Sequence, residues 1–396
     1  MSGTTALHTS ETRPVSGSLI FPRGHSARII DAVLMGCIVV RVEVPFIPAG
    51  VPFAQVALIV LLFIATFRRP IRSFERARWF PGIVVVLIAY LTIVSLVNDV
   101  DFIRRLGNIA VLFTVAGFLA SGRIDIASAI KGICVALVIN LALFYTGIAP
   151  DTYGGVLTGY LADKNAAGLI YGMAGLLCAL TTKRIWIRVL ILGAGAGALV
   201  LTDSRTSMAA YAMAIVWISF SRWSGVIYKL LIGGGLTAAF FWADANLSDV
   251  GQYEESRAGS DALRDRIDAA SAAKVAETPW YGGGLGQAVV EVEDRDWFFH
   301  NSYEALLAEG GIVALAAVVG LYVVVGFGLA NRNPPSFATA VVGGATLFLL
   351  LAATRLGEVF FAPIGLILLG IGLALIIEQD LFRPNQRLHP TAIVPM

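Results

Sequence analysis

The chain is predicted to be an all-α polytopic integral membrane protein. It has about twelve transmembrane helices and one long outer loop containing a short amphipathic helix. Three observations predict this. Of 396 residues, 57% are AVILMFWYC and only 14% are charged, against roughly a quarter charged in soluble domains. The apolar residues fall in runs long enough to cross a bilayer core, which takes about 20 residues. The basic residues divide unequally between alternate connections. A soluble enzyme of mean hydropathy +0.78 would have to bury almost all of its surface, and single cores rarely grow past about 250–300 residues. Disorder is excluded because the chain is too apolar.

The runs lie at 28–46, 51–67, 80–97, 103–120, 126–148, 164–181, 185–202, 206–220, 225–242, 303–330, 338–355 and 358–378. The first carries Asp31, Arg41 and Glu43 in or beside it, and the eighth is short. Residues 1–27 are polar and form an N-terminal tail, so no cleaved signal peptide is expected and span 1 acts as an uncleaved start. Spans 1–9 fill 28–242, the outer loop 243–302, spans 10–12 fill 303–378, and 379–396 is a C-terminal tail.

Positive-inside counting puts both termini in the cytoplasm, because the inner segments then hold 18 Lys+Arg and the outer ones 11. Arg68, Arg69, Arg72, Arg76 and Arg78 make one inner cluster, and Lys183, Arg184 and Arg188 the next. Cys37, Cys134 and Cys178 all sit inside apolar runs, so no disulfide framework is implied.

The outer loop is the only long connection, and long loops in compact proteins are usually functional. Ser260 is positioned to cap a helix starting at Asp261. Leu263, Ile267 and Ala270 recur at helical spacing, Arg264 and Arg266 lie on the same helix, and Thr278-Pro279 ends it. The run Pro279-Trp280-Tyr281-Gly282-Gly283-Gly284-Leu285-Gly286 is, as a local feature, a flexible turn. It lacks the strand and the Gly-Lys-Ser/Thr ending of a phosphate loop. Asn301 is an N-cap with Glu304 at the third helical position, which places His300 at the outer mouth of span 10. Gly311 follows eleven residues later, about three turns on, and is expected beneath His300 on one face.

His300 is the one outer histidine, since His8, His25 and His389 lie in the tails. As a lone histidine beside an aromatic belt it has a structural alternative. Arg205 in Leu201-Thr202-Asp203-Ser204-Arg205 is open to pairing with Asp203 or reaching headgroups. Lys164, Arg104, Arg105, and Arg355 with Glu358 are further charges close to the membrane core, where charge is costly and often functional. Asp163 can cap the helix that begins at Lys164. Asp99-Val100-Asp101 and Asp294-Arg295-Asp296 have the spacing of carboxylates that hold a divalent ion beside a diphosphate, a pattern that also arises by chance.

Together these residues resemble the O-antigen ligase/Wzy-type O-antigen polymerase family of bacterial membrane glycosyltransferases, which are GT-C-like. Four stretches carry the likeness. They are Asp163-Lys164-Asn165-Ala166-Ala167-Gly168, Leu201-Thr202-Asp203-Ser204-Arg205, Arg264 followed by Pro279-x-x-Gly282-x-Gly284-x-Gly286, and His300 with Gly311. The resemblance covers 160–311 by motif and the first five spans by hydropathy alone. One departure concerns R-x3-L of the ligase branch, because Arg264 is followed at that spacing by Asp268.

The resemblance implies transfer of a glycan from a polyprenyl-diphosphate donor to a glycan or lipid-glycan hydroxyl, on the outer face of a bacterial cytoplasmic (inner) membrane. His300 would be the base, and Arg205 and Arg264 would bind the donor diphosphate. Arg266, Lys164, Asn165, Glu304 and Gly311 would support them. Transfer would invert the anomeric centre without metal. No cofactor and no nucleic-acid partner is expected. An exopolysaccharide polymerase of the same family, a lipid-linked-oligosaccharide transporter and a cell-wall scaffold are the other readings open to the sequence.

Overall fold

The computed structural model describes residues 28–41, 52–161, 163–221, 226–246, 254–330 and 336–378. The two tails, with His8, His25 and His389, and residues 247–253 of the outer loop lie outside the described residues. Helices dominate: α1 (Ile29–Ile38), α2 (Phe53–Thr66), α3 (Trp79–Val97), α4 (Ile103–Ala120), α5 (Ile126–Tyr145), α6 (Lys164–Cys178), α7 (Ile185–Leu201), α8 (Arg205–Phe220), α9 (Val226–Asn246), α10 (Glu254–Glu277), α11 (Ser302–Gly326), α12 (Phe337–Ala352) and α13 (Pro363–Ile377). One antiparallel hairpin, β1 (Val289–Val292) and β2 (Arg295–Phe298), precedes α11.

Each of the twelve apolar runs carries a helix, and α10 fills much of the long connection. Four helices are long and apolar enough to cross a membrane: Glu75–Val97, Ile103–Ala120, Ile126–Tyr145 and Ser302–Gly326. Among its described residues, 28–41, the first run is helical over Ile29–Ile38. Its acid is no solvent-facing charge. Asp31 is fully buried, pairs with Arg68, and accepts the Asp125 N–H at 2.9 Å.

The core is one apolar cluster running through most of the helices, densest around α12 and α13, where almost every residue is buried. Large apolar side chains on α2, α3, α5, α7 and α9 face outward instead, as lipid-facing surfaces do.

One end of the bundle gathers Arg28, Arg68, Arg72 and Arg123. There Arg72 Nη2 lies 2.8 Å from Glu378 Oε1, and Arg28 Nη1 donates to the Arg123 carbonyl at 2.8 Å. Elsewhere the connections pair with one another and with the long loop. Leu157 N–H donates to the Leu201 carbonyl at 2.9 Å, Leu285 N–H to Ser95 Oγ at 3.0 Å, and Ser302 N–H to the Ala353 carbonyl at 2.9 Å.

Three expectations need correction. α10 begins at Glu254, so Ser260 lies inside the helix and does not cap it. Glu254, Glu255, Arg257 and Ala258 are good helix formers and carry the helix upstream. Gly311 is not three turns down a continuous helix from His300, because α11 breaks there at φ 62°, ψ −163°, and the outer-loop backbone is what approaches it closely. That backbone region is essentially reserved for glycine. The glycine run of the outer loop is no flexible turn either, because it docks onto this break. A broken helix leaves backbone groups unpaired, which is untenable away from water. Here the loop fills them. Ile312 N–H donates to the Trp280 carbonyl (2.9 Å), while Gly283 N–H and Gly284 N–H donate to the Ala308 and Glu309 carbonyls (2.8 and 2.9 Å). Tyr90 Oη closes the joint by donating to the carbonyls of Tyr281 (2.9 Å) and Gly310 (3.2 Å). Gly282 has φ 98°, and a Cβ there would meet the Glu309 carbonyl oxygen at 2.6 Å.

A methyl group at Gly311 would sit 2.0 Å from the Trp280 carbonyl oxygen. Backbone strain of about 1–3 kcal/mol adds to overpacking of similar size. Gly311→Ala is therefore expected to lower the melting temperature of the purified protein sharply and to expose the outer loop to protease. Gly197→Ala in α7 meets open space and should change stability by no more than about 1 kcal/mol, in the stabilising direction. Equal melting curves for the two variants would refute the clamp.

Candidate functional site

The outer loop builds its own small core. Ile267 of α10 packs with Ala288, Val290, Phe299, Ala305 and Ala308, with Leu263 and Ala270 alongside. The amphipathic spacing of α10 thus has a definite purpose, since its apolar stripe sits on the hairpin and on the start of α11. Lys274 Nζ donates to the Val289 carbonyl at 2.7 Å and ties the end of α10 to the same hairpin. Burial lowers the Lys274 pKa, and Asp296 partly offsets this. The hairpin turns at Glu293 and Asp294, whose φ values of 58° and 57° are those of a tight primed turn.

The Asp294–Asp296 pair is therefore a turn residue and an exposed strand residue. Asp99, at φ 52°, closes the end of α3. Asp99 and Asp294 therefore have a local backbone role.

His300 follows the hairpin, and Asn301 caps α11 by accepting from Tyr303 N–H (3.0 Å) and Glu304 N–H (3.5 Å). The return half of the expected capping box differs. Glu304 accepts from the Asn301 side-chain amide at 3.1 Å instead of the backbone. His300 Nδ1 lies 3.1 Å from Asp268 Oδ1 on α10. Both side chains are about a third exposed, at 31% and 36%, so the pair is reachable from outside. Arg355 Nη1 stands 4.0 Å from Asp268 Oδ2. Arg264 is one helical turn before Asp268, and residues four apart share a helix face.

Other predicted residues lie in the pair of turns leading into α6 and α8. Asp163 caps α6, accepting from Asn165 and Ala166 N–H, both at 2.9 Å. Lys164 Nζ lies 3.8 Å from Asp203 Oδ2. Ser204 Oγ donates to Asn165 Oδ1 at 3.3 Å, directly before Arg205, which opens α8. Asp203 is thus paired with Lys164. Partial burial raises the Tyr153 phenol pKa, the Asp163 carboxylate raises it further, and the Arg264 guanidinium pulls it back.

Arg266 turns away and pairs with Glu293 of the hairpin turn, where both side chains are more than half exposed. Gly311 serves the clamp. Of the loop aromatics, Trp280 and Phe298 are exposed at 70% and 67%. Trp297 packs on the small core and donates from Nε1 to the Val292 carbonyl at 3.2 Å.

Sequence reasoning missed Glu309. It is 2% exposed, accepts Gly286 N–H at 2.9 Å, and faces Arg105, whose Nε and Nη2 lie 2.7 and 3.0 Å from its two oxygens. Arg105 also pairs with Glu358. A carboxylate seven residues into an apolar run was the available signal, because such a charge needs a partner. Among the described residues, no group of three or more His, Cys, Asp or Glu is placed to hold a metal ion.

Comparison with models of known families and with curated proteins finds no match to this chain.

Arg105→Ala would leave Glu309 as a buried, uncompensated charge, a change that typically costs about 3–5 kcal/mol. The variant should unfold at markedly lower temperature. Adding Glu309→Gln removes the stranded charge while keeping an acceptor for Gly286 N–H, so the double variant should recover most of the loss. A double variant as unstable as Arg105→Ala would contradict the pairing.

Proposed function

We propose that the protein is a membrane glycosyltransferase of the O-antigen ligase/polymerase kind, with twelve spans and both termini cytoplasmic in a bacterial inner membrane. It moves a glycan from a polyprenyl-diphosphate donor to an acceptor hydroxyl at the outer face. The observation that carries this is the contact of His300 with α10, one turn from Arg264. His300 thus meets the face of α10 that also carries Arg264. The excess of Lys+Arg in the inner segments, 18 against 11, supports the orientation.

The chemistry follows from the leaving group. A diphosphate departs with its negative charge and needs cations instead of a general acid. The guanidinium fork of arginine suits phosphate oxygens. Arg264, with Arg205 at the neighbouring turn, would stabilise that charge as it develops. His300 takes the proton of the acceptor hydroxyl, whose oxygen attacks the anomeric carbon from the side opposite the diphosphate and inverts it. Glycan ligation and chain polymerisation share this donor half and differ in the acceptor. Lys164 and Asn165 hold the turn that presents Arg205.

Turnover per folded molecule tests the reading. His300→Ala should lose about 10²–10⁴-fold at normal protein level and with donor binding nearly intact. Arg264→Ala and Arg205→Ala should weaken donor binding too, with only partial rescue by lysine. EDTA should leave the wild-type rate unchanged. A His300→Ala enzyme within about threefold of wild type would end the assignment.

Topology is a separate check. A reporter at Lys183 should read cytoplasmic, and one in the hairpin turn at Asp294 external. A cytoplasmic signal at Asp294 would put His300 on the wrong side for this donor.

A further inference from the structure

We propose that Asp268 is a positioning residue for His300, fixing the imidazole tautomer that takes the acceptor proton. This rests on His300 being the base. The ring has two nitrogens, and the one not engaged by the protein is the one free to act on substrate. Nδ1 faces Asp268 Oδ1 at 3.1 Å. A carboxylate only accepts, so the neutral ring must carry its hydrogen on Nδ1 to make this bond. Nε2 then holds the lone pair.

The step is balanced. The acceptor O–H bond breaks and its proton moves to Nε2. The oxygen forms the new bond to the anomeric carbon, and the bond from that carbon to the diphosphate breaks, with its electron pair leaving on the diphosphate. The ring becomes a cation, and the Asp268 carboxylate stabilises that charge while the bond forms, as a base-orienting group does.

The surroundings keep Asp268 suited to this role. Arg355, from the turn after α12, lies 4.0 Å from its other oxygen, and Arg264 stands one turn away on α10. Glu304, on α11, is the acid close enough to Asp268 to interact with it. Its carboxylate is drawn off by the Asn301 amide at 3.1 Å. The apolar side of α10 fixes the geometry, because Ile267, the residue beside Asp268, is buried in the loop core. The position cannot be a general feature of an Arg-x3-Leu helix, since leucine there offers the imidazole no acceptor.

The test uses the full-length protein in nanodiscs with a polyprenyl-diphosphate-linked oligosaccharide as donor. Asp268→Asn keeps the shape but loses the charge and offers an amide. It should lower kcat about tenfold to 100-fold, the worth of a charge-assisted hydrogen bond, with the donor KM unchanged. Asp268→Glu should restore part of the rate. Nitrogen NMR of histidine-labelled protein at alkaline pH gives a second measurement that does not depend on turnover. The chain has four histidines, so the spectrum of His300→Ala assigns the His300 signals by subtraction. Wild type should show hydrogen on Nδ1, and Asp268→Asn should shift it towards Nε2. An unchanged tautomer, or an Asp268→Asn kcat within about threefold of wild type, would overturn the role of Asp268 while leaving His300 as base. An active His300→Ala protein would overturn the underlying reading itself.

Discussion

Everything at the outer end depends on one constraint: a helix broken in an apolar setting must have its backbone groups paired. α11 breaks at Gly311, and the segment Trp280–Gly284 supplies the missing partners by main-chain hydrogen bonds, with the Tyr90 hydroxyl on the Gly310 carbonyl. Such pairing tolerates no slippage, because each donor and acceptor is fixed along the chain. Glu309 concentrates the effect. Its carbonyl accepts from Gly284, its carboxylate accepts from Gly286, and Arg105 of α4 neutralises it. One residue therefore joins α11, the outer loop and α4.

The site inherits its rigidity from that joint. α10 runs into Pro279 and Trp280 on one side of the clamp, and the hairpin leaves Gly286 on the other to deliver His300. Both flanks of the clamp return to each other through the small core around Ile267 and Phe299. Asp268 and His300 come from segments 32 residues apart, yet each is held by packing on the same few side chains. Function on a long loop usually costs geometric definition. Here the loop is pinned at its middle to a helix of the bundle.

Much of the architecture was legible because length and apolarity are sufficient to find helices of this kind. Each run in the sequence carries one, and the Asp163 and Asn301 caps stand where their spacing puts them. The break at Gly311 was not legible, since glycine is common in membrane helices and its complement lies some thirty residues upstream. The long-range ion pairs were not legible for the same reason, because their partners are distant in sequence: folding brings Glu358 to Arg105, Asp203 to Lys164 and Asp268 to Arg355.

The most direct measurement is an experimental structure with polyprenyl diphosphate bound. The account predicts the diphosphate between Arg264 and the Arg205 turn, with His300 Nε2 facing the space where an acceptor hydroxyl would enter. A diphosphate seated instead at the opposite, arginine-rich end of the bundle, or against Arg105 with Glu309 displaced, would contradict it.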